Sequence, residues 1–341
     1  MDPVSQGVLG AVASQSVAQR KHAVIAAVLG ALAGIAPDLD VFITSKTDPL
    51  LFLEYHRQFT HSLIFIPVGG LLCAIILYLF ANRWALSFKQ TLFYCVAGYA
   101  THALLDSCTS YGTQLFWPFS DYRVAWNSIS IIDPIFTLPL LALAGITAYT
   151  KRLLFARLAM LWVILYLGLG VVQRERVETI GLELALSRNH QPVRLVSRPA
   201  FGNLLLWKTI YETDDKYYVD GVRSAVDVTI FPGQSIEKLN LERDFPWLQK
   251  DSQQANDINR FEWFSSGFVA IHPNHTNRVI DVRYSMLPNE IDPLWMIELD
   301  PEKSIEQHVD FLQQRAGARE KLGVLWQMLL GRAPGNSAPG N

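Results

Sequence analysis

Cysteine is scarce in this chain, which has three such residues and no CxxC pair. Cys73 and Cys95 lie in apolar runs, and Cys108 lies in the segment DSCTS. An odd number of scattered cysteines indicates neither a disulfide framework nor a thiolate zinc site. The GxSxG motif of serine hydrolases is also missing, so a serine nucleophile is not favoured.

An excess of one charge is lacking as well, since the formal net charge of the 341 residues is −2. A nearly neutral chain does not predict nucleic-acid binding. The charges are nevertheless unevenly spread. Residues 1–176 contain 12 Lys/Arg and 9 Asp/Glu, whereas residues 177–341 contain 17 and 22. The first part is therefore poor in charge, and the second has the charge content of an ordinary soluble domain.

The first part is instead rich in apolar runs. Its six mostly apolar segments are 3–19, 22–37, 58–82, 90–105, 134–150 and 158–173. A full membrane crossing needs about 20 apolar residues, a length that 58–82 reaches without flanking residues. The first two segments are short and rich in alanine and glycine, which suits close packing in a membrane bundle. Core helices of a soluble α-domain are the alternative for these two. We expect a polytopic α-helical membrane bundle of about six helices, some of them short.

Basic residues predict the orientation of this bundle. If the segments alternate in direction, one set of turns holds seven basic and no acidic residues: Arg20, Lys21, Arg83, Lys89, Lys151, Arg152 and Arg157. The positive-inside tendency places this set in the cytoplasm. No basic n-region of a signal peptide precedes the first segment, so internal segments are expected to direct membrane entry. Six crossings, with both ends and the C-terminal domain extracytoplasmic, are predicted.

Histidines and carboxylates gather at the predicted outer ends of these segments. They occur in APDLD (36–40), HRQFTHS (56–62) and THALLDSCTSYG (101–112). The candidate metal ligands are Asp38, Asp40, His56, His61, His102 and Asp106. Imidazole and carboxylate groups are the ligands of hydrolytic zinc, manganese and iron sites. Each motif alone also fits a structural role, as a helix terminator, an interfacial pair or a cap. Their convergence on one face favours a divalent-metal site, with zinc the first candidate and manganese or iron the alternatives.

Two further features bear on a substrate. Arg57 offers a planar fork of donors that suits a phosphate, although a salt bridge to Glu54 or a lipid headgroup contact explains it as well. The aromatic segment 111–126 matches an interfacial belt. It could also line an entry for a lipid-like substrate. Membrane lipids are the expected partners, and no protein partner is indicated.

These motifs also carry a resemblance to a known family. MDPVSQGVLGA, PDLD, HRQFTHS and GYATHALLDSCTSYGTQLFWPFSD resemble the YdjM-like family of inner-membrane metal-dependent hydrolases over about residues 1–175. The resemblance implies the same six ligands and a hydrolase activity. One position departs from the family, since many relatives have a histidine where this chain has Gln6. An amide is a poorer metal ligand than an imidazole, so Gln6 is expected to hydrogen-bond a metal-bound water instead.

The C-terminal part shows the patterns of a small α+β or β-rich domain. Six runs rich in β-branched and aromatic residues lie between about residue 193 and residue 299. The stretch 302–331 reads as an amphipathic helix broken near AGA, and 333–341 reads as a disordered tail. His272 and His275 more often form a solvated loop pair than a metal site. The predicted domains are 1–176 for the membrane part, 177–332 for the outer domain and 333–341 for the tail.

The leading hypothesis is an inner-membrane enzyme that hydrolyses an ester or phosphoester, in a lipid or lipid-linked substrate, through metal-activated water. Asp40, Arg57 and Asp106 are its candidate catalytic residues. One alternative is a non-enzymatic metal-binding scaffold or sensor that recruits a partner through the outer domain. A transporter with a proton relay is the other alternative. Clustering of the ligands at one face argues against transport, which places binding sites near the midplane.

Overall fold

The computed structural model describes residues 1–314 and 318–332 of the chain. The predicted tail at 333–341 lies outside the described residues. The chain divides into two compact units. The first comprises Met1–Ile43, Tyr55–Val172 and Phe201–Leu204, and the second comprises Thr44–Glu54, Gln173–Ala200 and the described residues from Leu205 onward.

The first unit is helical. Its helices are α1 (Pro3–Ser16), α2 (Ala23–Ile35), α4 (Ile66–Ala81), α5 (Phe88–Cys108), α6 (Pro134–Thr150) and the first part of α7 (Leu154–Ser187). The short helix α3 (Leu51–Tyr55) precedes α4 in the chain and belongs to the second unit. A 3₁₀ turn over Ala36–Phe42 follows α2, and another over Phe59–His61 precedes α4. The first turn contains the motif APDLD, and the second lies within the motif HRQFTHS.

Small residues let three helices approach one another closely. A Cβ atom on Gly30 would lie 2.3 Å from the carbonyl oxygen of Gly10 on α1, and one on Gly98 of α5 would lie 2.4 Å from the carbonyl oxygen of Gly30. Glycine is required at these crossings because any side chain would overlap backbone atoms. The expected close packing of the alanine- and glycine-rich segments is thus present, and it brings the ends of α2 and α5 together.

The prediction of about six membrane-crossing helices is not confirmed. Among the described residues, three helical stretches are long and apolar enough to cross a membrane: Arg20–Phe42, Leu63–Ala81 and Leu154–Ser187. Pro134–Thr150 is apolar but shorter. The helix α5 is 21 residues long, and its inward side carries buried polar groups, among them His102, Asp106 and Ser107. Those polar groups lower the mean hydropathy of α5 below that of a helix surrounded by lipid.

The second unit contains two antiparallel four-stranded sheets in simple sequential order. The first sheet consists of β1 (Arg194–Pro199), β2 (Leu206–Glu212), β3 (Lys216–Ser224) and β4 (Val228–Glu237). The second sheet consists of β5 (Val269–His272), β6 (His275–Asp281), β7 (Trp295–Glu298) and β8 (Asp310–Gln313). Both sheets contribute to one buried core, in which Ile210 and Tyr217 meet Ala270 and Ile280. A sheet-rich C-terminal domain is therefore confirmed.

Besides α3 and the last part of α7, the described residues of this unit include three further helices, α8 (Leu241–Asp244), α9 (Gln253–Phe264) and α10 (Ala318–Leu329). The predicted helix over 302–331 is wrong in its first half, which forms turns and strand β8. Phe311 and Leu312 lie in β8, where they pair with Ile297 and Met296 of β7. The helix α10 begins at Ala318, the last residue of the AGA sequence.

Candidate metal centre

Four side chains from three separate motifs meet in the first unit. Asp38 lies in the 3₁₀ turn after α2, His61 ends the 3₁₀ turn before α4, and His102 and Asp106 lie one turn apart on α5. His61, His102 and Asp106 are fully buried, and the side chain of Asp38 is 24 % exposed. Asp38 therefore marks the accessible side of the group.

The distances among the four donor atoms fit a single metal ion. The Nε2 atoms of His61 and His102 are 2.9 Å apart. The Nε2 of His61 lies 3.6 Å from Asp38 Oδ1 and 3.3 Å from Asp106 Oδ2. The Nε2 of His102 lies 3.3 Å and 3.5 Å from the same two oxygens. A tetrahedral ion with bonds of about 2.0–2.1 Å requires donor atoms about 3.3 Å apart. The donor set thus has a size and a chemistry that could hold one metal ion.

The opposite ring nitrogens fix the orientation of both histidines. His102 Nδ1 donates to the carbonyl oxygen of Gly34 at 2.6 Å. His61 Nδ1 lies 3.1 Å from Asp40 Oδ2 and 2.9 Å from Thr60 Oγ1. A histidine whose Nδ1 donates a proton has its lone pair on Nε2, which is the arrangement that metal sites use. Both imidazoles are therefore set to present Nε2 to the centre of the group.

Asp40 is surrounded by hydrogen-bond donors. Its Oδ2 accepts from the Arg57 backbone N–H at 3.0 Å and from Thr60 Oγ1 at 2.7 Å, in addition to facing His61. Its Oδ1 lies 2.7 Å from His56 Nδ1. A carboxylate with this many donors holds its neighbours in position. Asp40, His56 and Asp38 also form a second group whose ligand atoms lie within 4.8 Å of one another.

His56 is less enclosed than the other histidines, with 18 % of its side chain exposed. Burial lowers the pKa of His56, and the nearby Arg57 lowers it further, although the hydrogen bond to Asp40 acts in the opposite direction. His56 thus combines partial access to solvent with a carboxylate partner on Nδ1. This pairing is typical of histidines that accept protons in catalysis.

Arg57 serves as a partner of Asp106. Its Nε lies 3.0 Å from Asp106 Oδ2 and its Nη1 donates to Thr109 Oγ1 at 3.0 Å. The guanidinium also stacks 4.7 Å above the ring of Tyr111, and the residue is 4 % exposed. Arg57 has a positive φ of 68°, which non-glycine residues seldom adopt. The structure therefore brings Arg57 into the cluster as a buried counter-charge, and the salt bridge to Glu54 that the sequence allowed is made by Arg260 instead.

Gln6 reaches the same carboxylate from α1. Its Nε2 donates to Asp106 Oδ1 at 2.8 Å, and the nitrogen of Met1 also contacts this oxygen. Gln6 therefore hydrogen-bonds the carboxylate of Asp106, and the bond to a metal-bound water that the sequence suggested stays a prediction. The other site residues predicted from the sequence all lie in the first unit. His272 ends β5 and His275 begins β6, with ring centroids 4.8 Å apart, and the expectation of a solvated loop pair is wrong for His272, which is buried.

Comparisons with known proteins agree with the membrane character of the first part. A family model described as YdjM inner membrane protein matches residues 1–177. The chain is 30% identical over 141 residues to the inner membrane protein YbcI of Escherichia coli (strain K12), which covers 39% of this chain and 74% of YbcI. It is 33% identical over 113 residues to the uncharacterized protein YfhP of Bacillus subtilis (strain 168), a match that spans 33% of each. No solved structure matches the chain.

Proposed function

The chain belongs to the YdjM inner membrane protein family, and we propose that it is a metal-dependent hydrolase of that membrane. The observation that carries this proposal is the donor set of Asp38, His61, His102 and Asp106, whose ligand atoms all lie within 4.8 Å of one another. Its three fully buried members combine two imidazole nitrogens with the carboxylate of Asp106, whose charge Arg57 offsets, and imidazole together with carboxylate is a donor set that divalent metals use. Zinc fits this set best, with manganese or iron as the alternatives.

The proposed chemistry follows from a metal held by the four ligands and from Arg57 and His56 beside them. Asp38, His61, His102 and Asp106 would hold a divalent cation, which would supply Lewis-acid polarisation of an ester or phosphoryl oxygen and activation of water. Asp106 is one ligand, and its Arg57 partner compensates the charge of the carboxylate. His56, held by Asp40, accepts the proton of the attacking water and returns it to the leaving group. Access comes from the side of Asp38, where the group is not enclosed.

The substrate class follows from the location. A site formed at the ends of apolar helices is reached most readily by a molecule that is itself held in the bilayer. We therefore propose an ester or phosphoester of a lipid or lipid-linked compound. The seven basic residues in the other set of turns, against three in the turns that carry the ligands, support an extracytoplasmic site by the positive-inside tendency.

Hydrolysis by the purified protein tests this function. The full chain in detergent, loaded with Zn²⁺ or Mn²⁺, is incubated with phosphatidic acid in mixed micelles, a phosphodiester lipid and a carboxylic ester lipid. Release of product should fall by roughly 10²-fold or more in His56→Ala, because general catalysis of this kind contributes about 10²–10⁴-fold. His275→Ala removes an exposed histidine of the second unit and is the matched control. Metal-loaded protein that hydrolyses none of the three classes contradicts the proposed activity.

A second candidate function has its own supporting observation. Four protein ligands complete a tetrahedral shell, and structural zinc sites are closed in this way. The scaffold hypothesis therefore fits the four-residue set as such. The two hypotheses differ in the effect expected from replacing His56. In a scaffold, this replacement would leave metal binding by the four-residue set and every property of the scaffold unchanged.

A further inference from the structure

The segment Thr44–Glu54 separates two parts of the metal centre in sequence and belongs to the other unit. Asp40 lies four residues before it, and His56 follows it by two. Within the second unit this segment is well anchored. Leu50 and Leu53 are 0% and 3% exposed, and the ring of Phe52 packs edge-on against that of Phe311 with centroids 5.1 Å apart.

Arg260 on α9 holds the segment by its charges. Its Nη1 and Nη2 lie 3.0 Å and 2.7 Å from the two oxygens of Asp48, and its Nε lies 2.5 Å from Glu54 Oε1. A paired contact of this kind uses the planar fork of the guanidinium and fixes both distance and direction. Arg260 thereby binds both halves of the segment.

Arg260 is itself held in place by Asp257, which lies one turn earlier on α9. Its Nη1 donates to Asp257 Oδ1 at 2.8 Å, and Asp257 is fully buried. The same carboxylate faces His308 Nδ1 at 2.9 Å and accepts from the backbone N–H of Val309 at 3.1 Å. Because Asp257 is anchored at several points, Arg260 has little freedom, and neither has the segment that it holds.

We propose that Arg260 is a positioning residue for the metal centre, acting through the segment Thr44–Glu54. The inference rests on the proposed metal site. The segment sets where the chain leaves Asp40 and where it returns at His56, and Asp40 in turn orients His61 through Nδ1. Groups that orient metal ligands contribute about 10- to 100-fold to metal affinity or activity. The second unit therefore tunes the ligand set of the first through the covalent chain.

Zinc affinity of the full chain in detergent tests this inference. Arg260→Met removes the charges and keeps most of the side-chain volume. The dissociation constant for Zn²⁺, measured by competition with a chromogenic chelator, should rise about 10-fold. Hydrogen exchange of residues 44–54 should also be faster in this variant. Arg260→Lys keeps the charge without the fork, so its dissociation constant for Zn²⁺ should lie between those of the wild type and Arg260→Met.

Arg188→Met is the matched control. Arg188 makes a paired salt bridge to Asp220 in the same unit, with distances of 2.7 Å and 2.9 Å, and neither residue belongs to the segment. This variant loses a two-bond ion pair of the same unit that does not involve the segment, and it should bind Zn²⁺ as the wild type does. Should Arg260→Met fail to fold, the pair Asp48→Asn and Glu54→Gln removes the same contacts from the segment side and carries the same expectation.

The outcomes separate the inference from the function on which it rests. Unchanged affinity in Arg260→Met despite faster exchange of residues 44–54 overturns the positioning role and leaves the metal site intact. An equal loss of affinity in Arg188→Met also overturns it, because the effect would then be one of general stability. A wild-type protein that binds no Zn²⁺ refutes the metal site itself.

Discussion

Asp106 has two carboxylate oxygens in different surroundings. Oδ2 faces the two imidazoles and Arg57, whereas Oδ1 accepts from Gln6. This division leaves one oxygen for the metal and fixes the other, so that the carboxylate cannot rotate freely. A side chain that is not a ligand thus determines the direction of one that is.

Gln6→Ala tests this division. Removal of the amide takes a donor from Asp106 Oδ1, and we expect the affinity for Zn²⁺ to fall about 10-fold. Gln15→Ala is the control, because Gln15 is a buried glutamine of the same helix that bonds to the carbonyl oxygens of Ala23 and Ala144. Chelator competition measures both. Equal affinities in Gln6→Ala and Gln15→Ala would contradict the orienting role of Gln6.

Lys208 is a second residue with an unusual environment, in the core of the second unit. It is 5% exposed, and its Nζ donates to Ser285 Oγ at 2.7 Å and to the carbonyl oxygen of Glu290 at 2.9 Å. Burial, with the nearby positive charge of Arg198, lowers the pKa of Lys208 to about 7. Arg198 lies directly opposite on the neighbouring strand.

The pH dependence of stability follows from this lowered pKa. Between about pH 7 and the ordinary lysine value near 10.5 the unfolded chain holds a proton that the folded chain does not. Stability should therefore rise with pH across this window, by at most about 1.4 kcal/mol per pH unit. Thermal unfolding of the full chain between pH 7 and 10 measures the effect. Lys208→Met should remove this dependence, and an identical slope in both proteins would refute it.

Much of the metal centre was predictable at this scale. The six candidate ligands were identified from residue type and from their position at the ends of apolar segments, and the structure brings them together in one unit. The roles within the cluster were not predictable. The sequence does not show whether Asp40 faces a metal or four hydrogen-bond donors, or whether Arg57 faces a substrate or Asp106. Both depend on distances between motifs that lie far apart in the chain.

At the scale of elements, the metal centre depends on the crossing of α1, α2 and α5. Gly10, Gly30 and Gly98 meet there with almost no space between backbones. Asp38 follows α2, and His102 and Asp106 lie on α5, so the separation of these two helices sets the distance between their ligands. Packing of glycines is therefore directly linked to the geometry of the donor set.

Gly30→Ala tests this link. Its Cβ would lie 2.2 Å from Ser14 Oγ and 2.3 Å from the carbonyl oxygen of Gly10, so the helices must move apart. We expect a loss of about 1–3 kcal/mol in stability, as for other overpacked cores, together with weaker Zn²⁺ binding. Gly145→Ala on α6 is the control, since a Cβ there meets nothing within 4 Å. Thermal unfolding measures the stability of both variants. A Gly30→Ala protein as stable as Gly145→Ala would contradict the link between glycine packing and the donor set.

Element boundaries were less predictable than the elements themselves. The apolar segment 158–173 is part of α7, which continues to Ser187 through Arg174, Glu175 and Arg176. Charged residues end an apolar run but not a helix, because Arg and Glu are good helix formers. The pattern at 302–331 failed for the opposite reason. Pairing with β7 imposed a strand on residues whose spacing also suits a helix.

At the scale of the molecule, the family match covers residues 1–177, which include all six candidate ligands. The second unit contributes its own sheets and core and also takes in the segment Thr44–Glu54. No pattern in the sequence indicated that this segment would leave the membrane part of the chain. Its two ion pairs to Arg260 span more than 200 positions of sequence, a separation over which local signals carry no information.

The central claim is that the chain holds a divalent metal ion through Asp38, His61, His102 and Asp106. Elemental analysis of detergent-purified protein after reconstitution tests it most directly, with wild type beside His61→Ala, Asp106→Ala and the control His275→Ala. The account predicts about one equivalent of zinc, manganese or iron in wild type and control, and less than about a tenth of that in the two ligand variants. Metal-free wild type, or equal metal in all four proteins, would contradict it.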